Sequence, residues 1–358
     1  MYLRYLNPVM RLKKLIYLIL ISLGTPGFPA AQPNGTGSGV SYPKSDSLRQ
    51  AEKPLYRDPV HDGAADPVVI WNKPAGKWFM YYTNRRADIV DEEGVSWVHG
   101  TRIGIAVSQD GGASWQYLDT CDIGYRVTPE YTCWAPEVIE NEGVYHMYLT
   151  YVPGIFKDWG HPRWIVHLTS VDGIGWTFES RLHLASEKVL DACVFQLPDG
   201  KWRLWYNNEK DGKSMYYADS PDLFQWTDIG KMEGFGRGEG AKVFQWKGFY
   251  WMVADEWDGL AVYRSGDLQH WEKQSGNLLR EPGTGKDDRV KGGHCDVVVQ
   301  GDRAYIFYFT HPGRREEVPD SAVYEQQRSS IQVAELLYRD GWITCDRDRP
   351  VYIHLTPE

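Results

Sequence analysis

The sequence predicts an all-β protein, a single five-bladed β-propeller, and three observations carry that expectation. First, a Gly turn leading into an aromatic-rich strand recurs five times. The copies are Gly76-Lys77-Trp78-Phe79-Met80-Tyr81-Tyr82, Gly143-Val144-Tyr145-His146-Met147-Tyr148, Gly200-Lys201-Trp202-Arg203-Leu204-Trp205-Tyr206, Gly248-Phe249-Tyr250-Trp251-Met252 and Gly301-Asp302-Arg303-Ala304-Tyr305-Ile306-Phe307-Tyr308. Second, each copy is followed by another strand, a polar turn and a Trp: Trp115, Trp176, Trp226, Trp271 and Trp342. Third, the Gly turns stand 67, 57, 48 and 53 residues apart, with no helical periodicity after residue 32. Four short strands repeated five times at a period near 50 residues make a unit that cannot bury its own faces and must stack radially. A β-sandwich with accidental repetition would not keep both hairpins in order five times.

Taken along the chain, residues 1–31 come first. Arg11, Lys13 and Lys14 precede the apolar run Leu15–Ile21, and Gly24, Pro26 and Ala30-Ala31 follow. A basic head, a short apolar centre and a small-residue exit predict a secretory signal peptide, hence a periplasmic or secreted protein. An N-terminal membrane anchor is the competing reading. The run is too short to span a bilayer comfortably, so no membrane span is expected in the mature chain. Residues 32–55 are rich in Gly and Ser near their start and read as a flexible N-terminal linker. Residues 56–358 hold the propeller, with the first blade beginning near residue 64 and the fifth ending near 346–355.

Within each blade the innermost strand runs into the Gly hairpin. The chain therefore enters on one face, the top, and turns at the bottom. The loops between second and third strands return to the top. Turns such as Ser108-Gln109-Asp110 and Ser170-Val171-Asp172 fall at the bottom, where Ser and Asp bond their own backbone. The Trp that follows each is expected to pack between blades.

Composition narrows the function. Lys and Arg number 39 against 48 Asp and Glu, a formal net charge of -9, which disfavours a nucleic-acid partner. A 14% aromatic content excludes global disorder. The five cysteines, Cys121, Cys133, Cys193, Cys295 and Cys345, are odd in number and widely spaced. They predict buried free thiols rather than a disulfide framework or a zinc site, with Cys121 and Cys133 the pair that would bridge if any did.

Reading back from each Gly hairpin gives an acid at the head of every inner strand: Asp66, Glu137, Asp191, Glu239 and Asp296. In a propeller these strands converge on the central channel. Carboxylates gathered there repel one another and lose hydration. A scaffold gains nothing from that arrangement, whereas acid–base chemistry requires it.

The residues Arg57-Asp58-Pro59-Val60 leading to Ala64-Ala65-Asp66-Pro67, then Trp134-Ala135-Pro136-Glu137, Leu190-Asp191, Glu239-Gly240 and Gly293-His294, resemble glycoside hydrolase family 43 and its five-bladed-propeller relatives. The resemblance spans residues 56 to about 345, with one short motif per blade. It implies that Asp66 is the general base, Glu239 the general acid, and Asp191 the residue that tunes and orients the acid. It implies that His294 lies near a central cation or an ordered water. His294 is the one metal-ligand candidate, a metal bound there would be a structural calcium because its other ligands would be mostly oxygen, and no cofactor is expected to be required. The sequence departs from the family in three places. Glu137 stands where Asp is usual, Ala192 where Pro is usual, and Gly238 where anhydrogalactose-cleaving relatives carry His.

The top loops are expected to build a sugar pocket. Its substrate-binding candidates are Arg85, Trp97, His99, Trp134, Glu137, Trp159, Asn207, Arg237, Trp257 and His294. Aromatic faces stack on sugar rings and paired polar groups read hydroxyls. Arg85, Arg86, Lys188, Arg237, Arg289 and Lys291 are numerous for an acidic chain. They either offset the carboxylates or meet a uronate or sulfate. The expected function is a secreted, inverting, exo-acting glycosidase on oligosaccharide or polysaccharide, first of all an α-L-arabinofuranosidase. Hydrolysis of a β-xyloside, galactoside or anhydrogalactoside, and a non-catalytic carbohydrate-binding propeller, stand as alternatives.

Overall fold

Five four-stranded antiparallel sheets follow one another along the chain, each with its strands in sequential order. A computed structural model describes residues 48–357. The expected signal peptide and residues 32–47 of the expected linker lie outside the described residues. The inner strands are Ala64–Asn72, Thr132–Asn141, Val189–Gln196, Glu239–Trp246 and Gly293–Gln300. Each packs against its two neighbours, so that the five close a ring around a central channel. Blade 2 gains a fifth strand, Asp122–Ile123, parallel to its outer strand Gly175–Arg181. The one α-helix among the described residues is the short turn Val323–Gln327. No helix among them is long and apolar enough to cross a membrane.

The second, third and fourth strands fan outward because each inner strand is buried on both sides. Sheet faces meet as separate apolar clusters between neighbouring blades. The turn Trp residues sit in these seams. Trp176 of blade 2 meets Tyr81 of blade 1 edge-on at 5.9 Å. Trp226 of blade 3 meets Tyr148 of blade 2 at 5.4 Å. Trp342 of blade 5 lies under the Arg264 guanidinium of blade 4 at 4.2 Å. The turn Asp of blades 1 to 4 (Asp110, Asp172, Asp222 and Asp267) accepts backbone N–H groups, as Asp172 does from Ile174 and Gly175 at 2.8 and 3.1 Å. The cysteines are free thiols, four of them buried.

The last part of the expected linker is not a linker. Arg49–Gln50 pairs antiparallel with Tyr352–Ile353. Ala51 and Leu55 are buried in the cluster that joins blade 1 to blade 5, together with Tyr56, Val351 and Leu355. The physical reason is closure. Each blade is built from its own consecutive strands, so no strand is shared across the first–last seam, and the two chain ends seal it instead.

Candidate active site

All five inner strands break register near their upper ends. In blades 1 to 4 the break falls at Asp66-Pro67, Ala135-Pro136, Asp191-Ala192 and Gly240-Ala241. In blade 5 it falls at His294. Asp66, Ala135, Asp191 and Gly240 all adopt left-handed backbone, with φ of 51°, 43°, 57° and 57°. For the three that are not glycine this costs roughly 1–2 kcal/mol each. Bulges of this kind re-aim a side chain at the end of a strand. Asp66 and Asp191 are thus equivalent positions, Glu239 falls one residue before the bulge, and Glu137 falls just after it.

That offset divides the acids into two groups. Asp66, Asp191 and Glu239 line one pocket of about 1290 Å³, joined by Asp255 and His294. The Arg85 guanidinium lies 3.2 and 3.3 Å from the two Asp66 oxygens, and the Nδ1 of His294 lies 3.5 Å from Asp66 and 4.0 Å from Asp191. Burial pushes the Asp66 carboxyl up, but Arg85 and then His294 more than reverse this and hold it below the usual carboxylate range. Burial opposes the charge on His294, yet Asp66, Asp191 and Asp255 raise it to about 9. Asp191 goes the other way. Burial, Glu239 and Asp66 push its carboxyl up against the pull of His294, to about 8. It accepts the Gly240 N–H at 3.1 Å, which ties it to the strand bearing Glu239. Glu239 accepts from the Lys213 ammonium and from the Trp257 indole N–H, both at 2.9 Å. Asp255 accepts the His294 backbone N–H at 3.0 Å, and burial followed by Glu239 raises it to about 6.

Gly240 makes this assembly possible. A Cβ there would lie 2.5 Å from Cγ of the His294 ring, in a backbone conformation that only glycine adopts freely. Gly240→Ala should therefore displace His294 from Asp66 and Asp191. A melting temperature lowered by a few degrees, on the order expected for about 1–2 kcal/mol, should accompany a loss of turnover. An unchanged melting curve and unchanged turnover would show that His294 has room to spare.

The second group lies outside the pocket. Glu137 and Asp296 are both buried, and the Lys242 ammonium joins them at 3.0 and 2.9 Å. Glu137 also accepts the Val194 N–H of blade 3 at 3.1 Å, and Asp296 accepts the Val69 N–H of blade 1 at 2.7 Å. Together with Lys242 from blade 4, this one cluster touches all five blades. The expectation of five acids around one depression is corrected to three acids in the pocket and two beneath a lysine. At the place of the expected cation, the Nδ1 of His294 faces the carboxylates of Asp66 and Asp191 at 3.5 and 4.0 Å, the geometry of a proton donor rather than of a metal ligand. The Lys242 ammonium already supplies positive charge to the other two acids. Among the described residues no group of three or more His, Cys, Asp or Glu is arranged to hold a metal ion.

Of the expected sugar-binding residues, Arg85, Trp97, Trp134, Trp159, Trp257 and His294 line the pocket. Trp159 is 51% exposed, an open aromatic face at the mouth. The other four do not line it: three are buried behind the wall, and Arg237 is exposed. Glu137 is the buried partner of Lys242. His99 packs against Trp134, Phe156 and Trp159 at 5.0, 5.8 and 6.0 Å, and burial lowers it to about 4, so it is a neutral support. Asn207 is fully buried and donates to the carbonyls of Gly238 and Lys213, holding the approach to Glu239. Arg237 lies over the Trp257 ring at 4.7 Å and is not part of the lining. Sequence reasoning missed Lys213 and Arg163. Lys213 follows Asp211-Gly212 in a top loop and reads as an ordinary turn. Arg163 is buried, pairs with Glu209 at 3.2 Å and lies 5.3 Å from the Trp134 ring. Their signal was position: both sit in loops between the second and third strands, which all return to the top.

The fold is that of the family-43 glycoside hydrolases. A thermostable family-43 glycoside hydrolase superposes with a TM-score of 0.63 at 17% identity, over 84% of this chain and all 100% of that one. A family-43 β-xylosidase/α-arabinofuranosidase from a compost microbial metagenome, in complex with xylotriose, gives 0.58 at 16%, over 83% and 97%. A family-43 β-1,3-galactosidase, BT3683, with galactodeoxynojirimycin gives 0.59 at 15%, over 83% and 99%. No protein-family model matches the sequence. Two uncharacterised proteins of Mycobacterium tuberculosis, MT1551 and Rv1502, are each 25% identical over 165 and 164 residues, 43% of this chain. The chain spans about half the length of these curated relatives, 52% of each.

Proposed function

We propose that this protein is a secreted glycoside hydrolase that acts with inversion, in which Asp66 activates water, Glu239 protonates the leaving oxygen, and Asp191 orients and tunes the pair. The observation that supports it best is the contrast among the pocket carboxyls. An inverting enzyme needs one carboxylate ready to take a proton and one carboxyl ready to give one, on opposite sides of the scissile bond. Arg85 and His294 keep Asp66 ionised. Burial and like charge keep a proton within reach on the Asp191–Glu239 side. The Trp side chains around the mouth suit a sugar ring, which presents C–H groups to an aromatic face.

The first substrate proposed is a terminal α-L-arabinofuranoside on a plant or algal polysaccharide. β-Xylosides and galactosides come next, in keeping with the enzymes that share the fold. A second reading is favoured by one contact. The Lys213 ammonium on Glu239 stabilises a carboxylate rather than an acid, which would pass the proton-donor role to Asp191. Hydrolysis of aryl α-L-arabinofuranoside, β-xyloside and β-galactoside, with the anomer released followed by NMR, tests the proposal. One substrate should turn over with inverted configuration. Retention would remove Asp66 as a water-activating base. Tight sugar binding without hydrolysis of any member would leave a carbohydrate-binding propeller.

A further inference from the structure

We infer that the sugar held next to Asp66 carries an anionic substituent, a carboxylate or a sulfate ester, received by Arg85 and Arg314 on the wall between blades 5 and 1. The inference rests on the reading of this pocket as a glycosidase site and names its substrate class. The wall is built from the end of the second strand of blade 1 and the long loop after the second strand of blade 5. Arg85 comes from the first, His311 and Arg314 from the second, and all three line the pocket. The Nη1 of Arg85 lies 2.8 Å from the Nε2 of His311. Arg314 lies 6.0 Å from the Trp97 ring, and its Nε donates to the Gln326 carbonyl at 3.2 Å. No carboxylate pairs with Arg314 or with its neighbour Arg315 among the described residues, and the Arg315 Nε is buried with no hydrogen-bond partner. Glu316 and Glu317 reach the same mouth without forming an ion pair to either arginine.

The arrangement opposes the rest of the molecule. The chain carries a formal net charge of -9, yet this wall collects guanidinium groups whose only ion-pair partner among the described residues is Asp66, already shared with His294. The groups feel one another. Loss of solvation, then Arg85, pushes Arg314 down, and burial, then Arg314 and Arg85, keeps His311 neutral. Mutual repulsion is a cost in the empty pocket that an anion removes on binding. Guanidinium forks match the paired oxygens of a carboxylate or sulfate. Trp97, buried beside Arg314, adds an apolar wall to this corner of the pocket. Across the mouth, Arg289 and Lys291 donate to the carbonyls of Thr284 and Trp257 and form no ion pair among the described residues, so their charge also faces the pocket.

Calorimetric titration of the full-length protein decides the matter. The probes are neutral xylo- and arabino-oligosaccharides, glucuronate-bearing xylo-oligosaccharides and sulfated galactan oligosaccharides of equal length. One anionic arm should bind about tenfold or more tightly than its neutral counterpart, since a charge-assisted pair is worth at least that factor. Whichever arm binds names the source of the anion. The preference should shrink as potassium chloride is raised, and Arg314→Gln, which removes a guanidinium that no ion pair holds among the described residues, should abolish it. Equal binding of neutral and anionic sugars, or a preference that survives in Arg314→Gln, would overturn the inference. The two readings fail separately. Anionic sugars bound but never cleaved would remove the glycosidase and keep the anion site. Neutral sugars cleaved with inversion while anionic ones go unbound would do the reverse.

Discussion

Asp66→Ala should lower turnover by about 10²–10⁴-fold on every substrate, because general base catalysis contributes that much and the proposal gives that role to Asp66. The Glu239→Ala loss should depend on the leaving group. A sugar leaving as a poor alkoxide needs its proton and should suffer a loss of the same order. An activated aryl glycoside hardly needs one and should be hydrolysed nearly as before. Paired substrates that differ only in the leaving group are the measurement. Equal losses on both would move the proton-donor role to Asp191, the carboxyl that burial and its neighbours push up to about 8. Asp191→Asn then separates the two roles. If Asp191 tunes Glu239, Asp191→Asn removes the negative charge that appears on Asp191 only above about 8, so the basic limb of the pH–rate profile moves to lower pH with the leaving-group pattern intact. If Asp191 is the donor, its variant takes on the leaving-group dependence instead. His294, whose folded value is raised to about 9 from an ordinary 6.5, supplies one part of the pH dependence of stability. Its contribution is fully present below about 6.5 and is lost as pH rises through about 9.

Lys242→Met should be the most damaging single change to the fold. The ammonium lies 3.0 Å from Glu137 and 2.9 Å from Asp296, and both carboxylates are almost completely buried. Removing one partner from a buried ionic cluster leaves the others uncompensated, at a cost of about 3–5 kcal/mol. Thermal unfolding should show a drop of order ten degrees for a domain of this size. The defect should be smallest at acid pH. Burial already raises Glu137, and without Lys242 its folded carboxyl rises further, so that protonation relieves the repulsion and stability falls as pH increases. A second variant keeps the test sharp. Glu137→Gln combined with Lys242→Met removes charges of both signs and should recover part of the loss. If Lys242→Met melted like the parent, the cluster would not be what joins the blades.

Much of the distinction between the two acid groups was written in the sequence but hidden by the choice of landmark. Asp66, Asp191 and Glu239 stand 10, 9 and 9 residues before their Gly turns, whereas Glu137 and Asp296 stand only 6 and 5 before theirs. At about 3.3 Å per residue, three or four residues nearer the bottom turn is a displacement of roughly 10 Å along the channel. The three distant acids reach the pocket, and the two near ones meet Lys242 below. The bulges were not legible in the same way. Asp66-Pro67 and Ala135-Pro136 hint at a break in pairing, since Pro cannot donate to the ladder, but Asp191-Ala192 carries no such mark.

The sequence by itself determined the number of blades, their order and the faces on which the loops emerge, because these follow from turns and strand periodicity within about fifty residues of chain. Its five strand-head acids also included Asp66, Asp191 and Glu239, which the family resemblance singled out, and it named most of the aromatic wall. Only the tertiary structure decided which charges meet. Lys213 reaches Glu239, Lys242 reaches Glu137 and Asp296, and Arg85 stands between Asp66 and His311, each across blade boundaries or loop ends that local pattern does not register. It likewise turned residues 48–55 from an expected linker into part of the seal. The physical reason is the same in both cases. A closed ring imposes neighbours on groups that are far apart in the chain, and the energy of a charge depends on those neighbours rather than on the residues beside it in sequence.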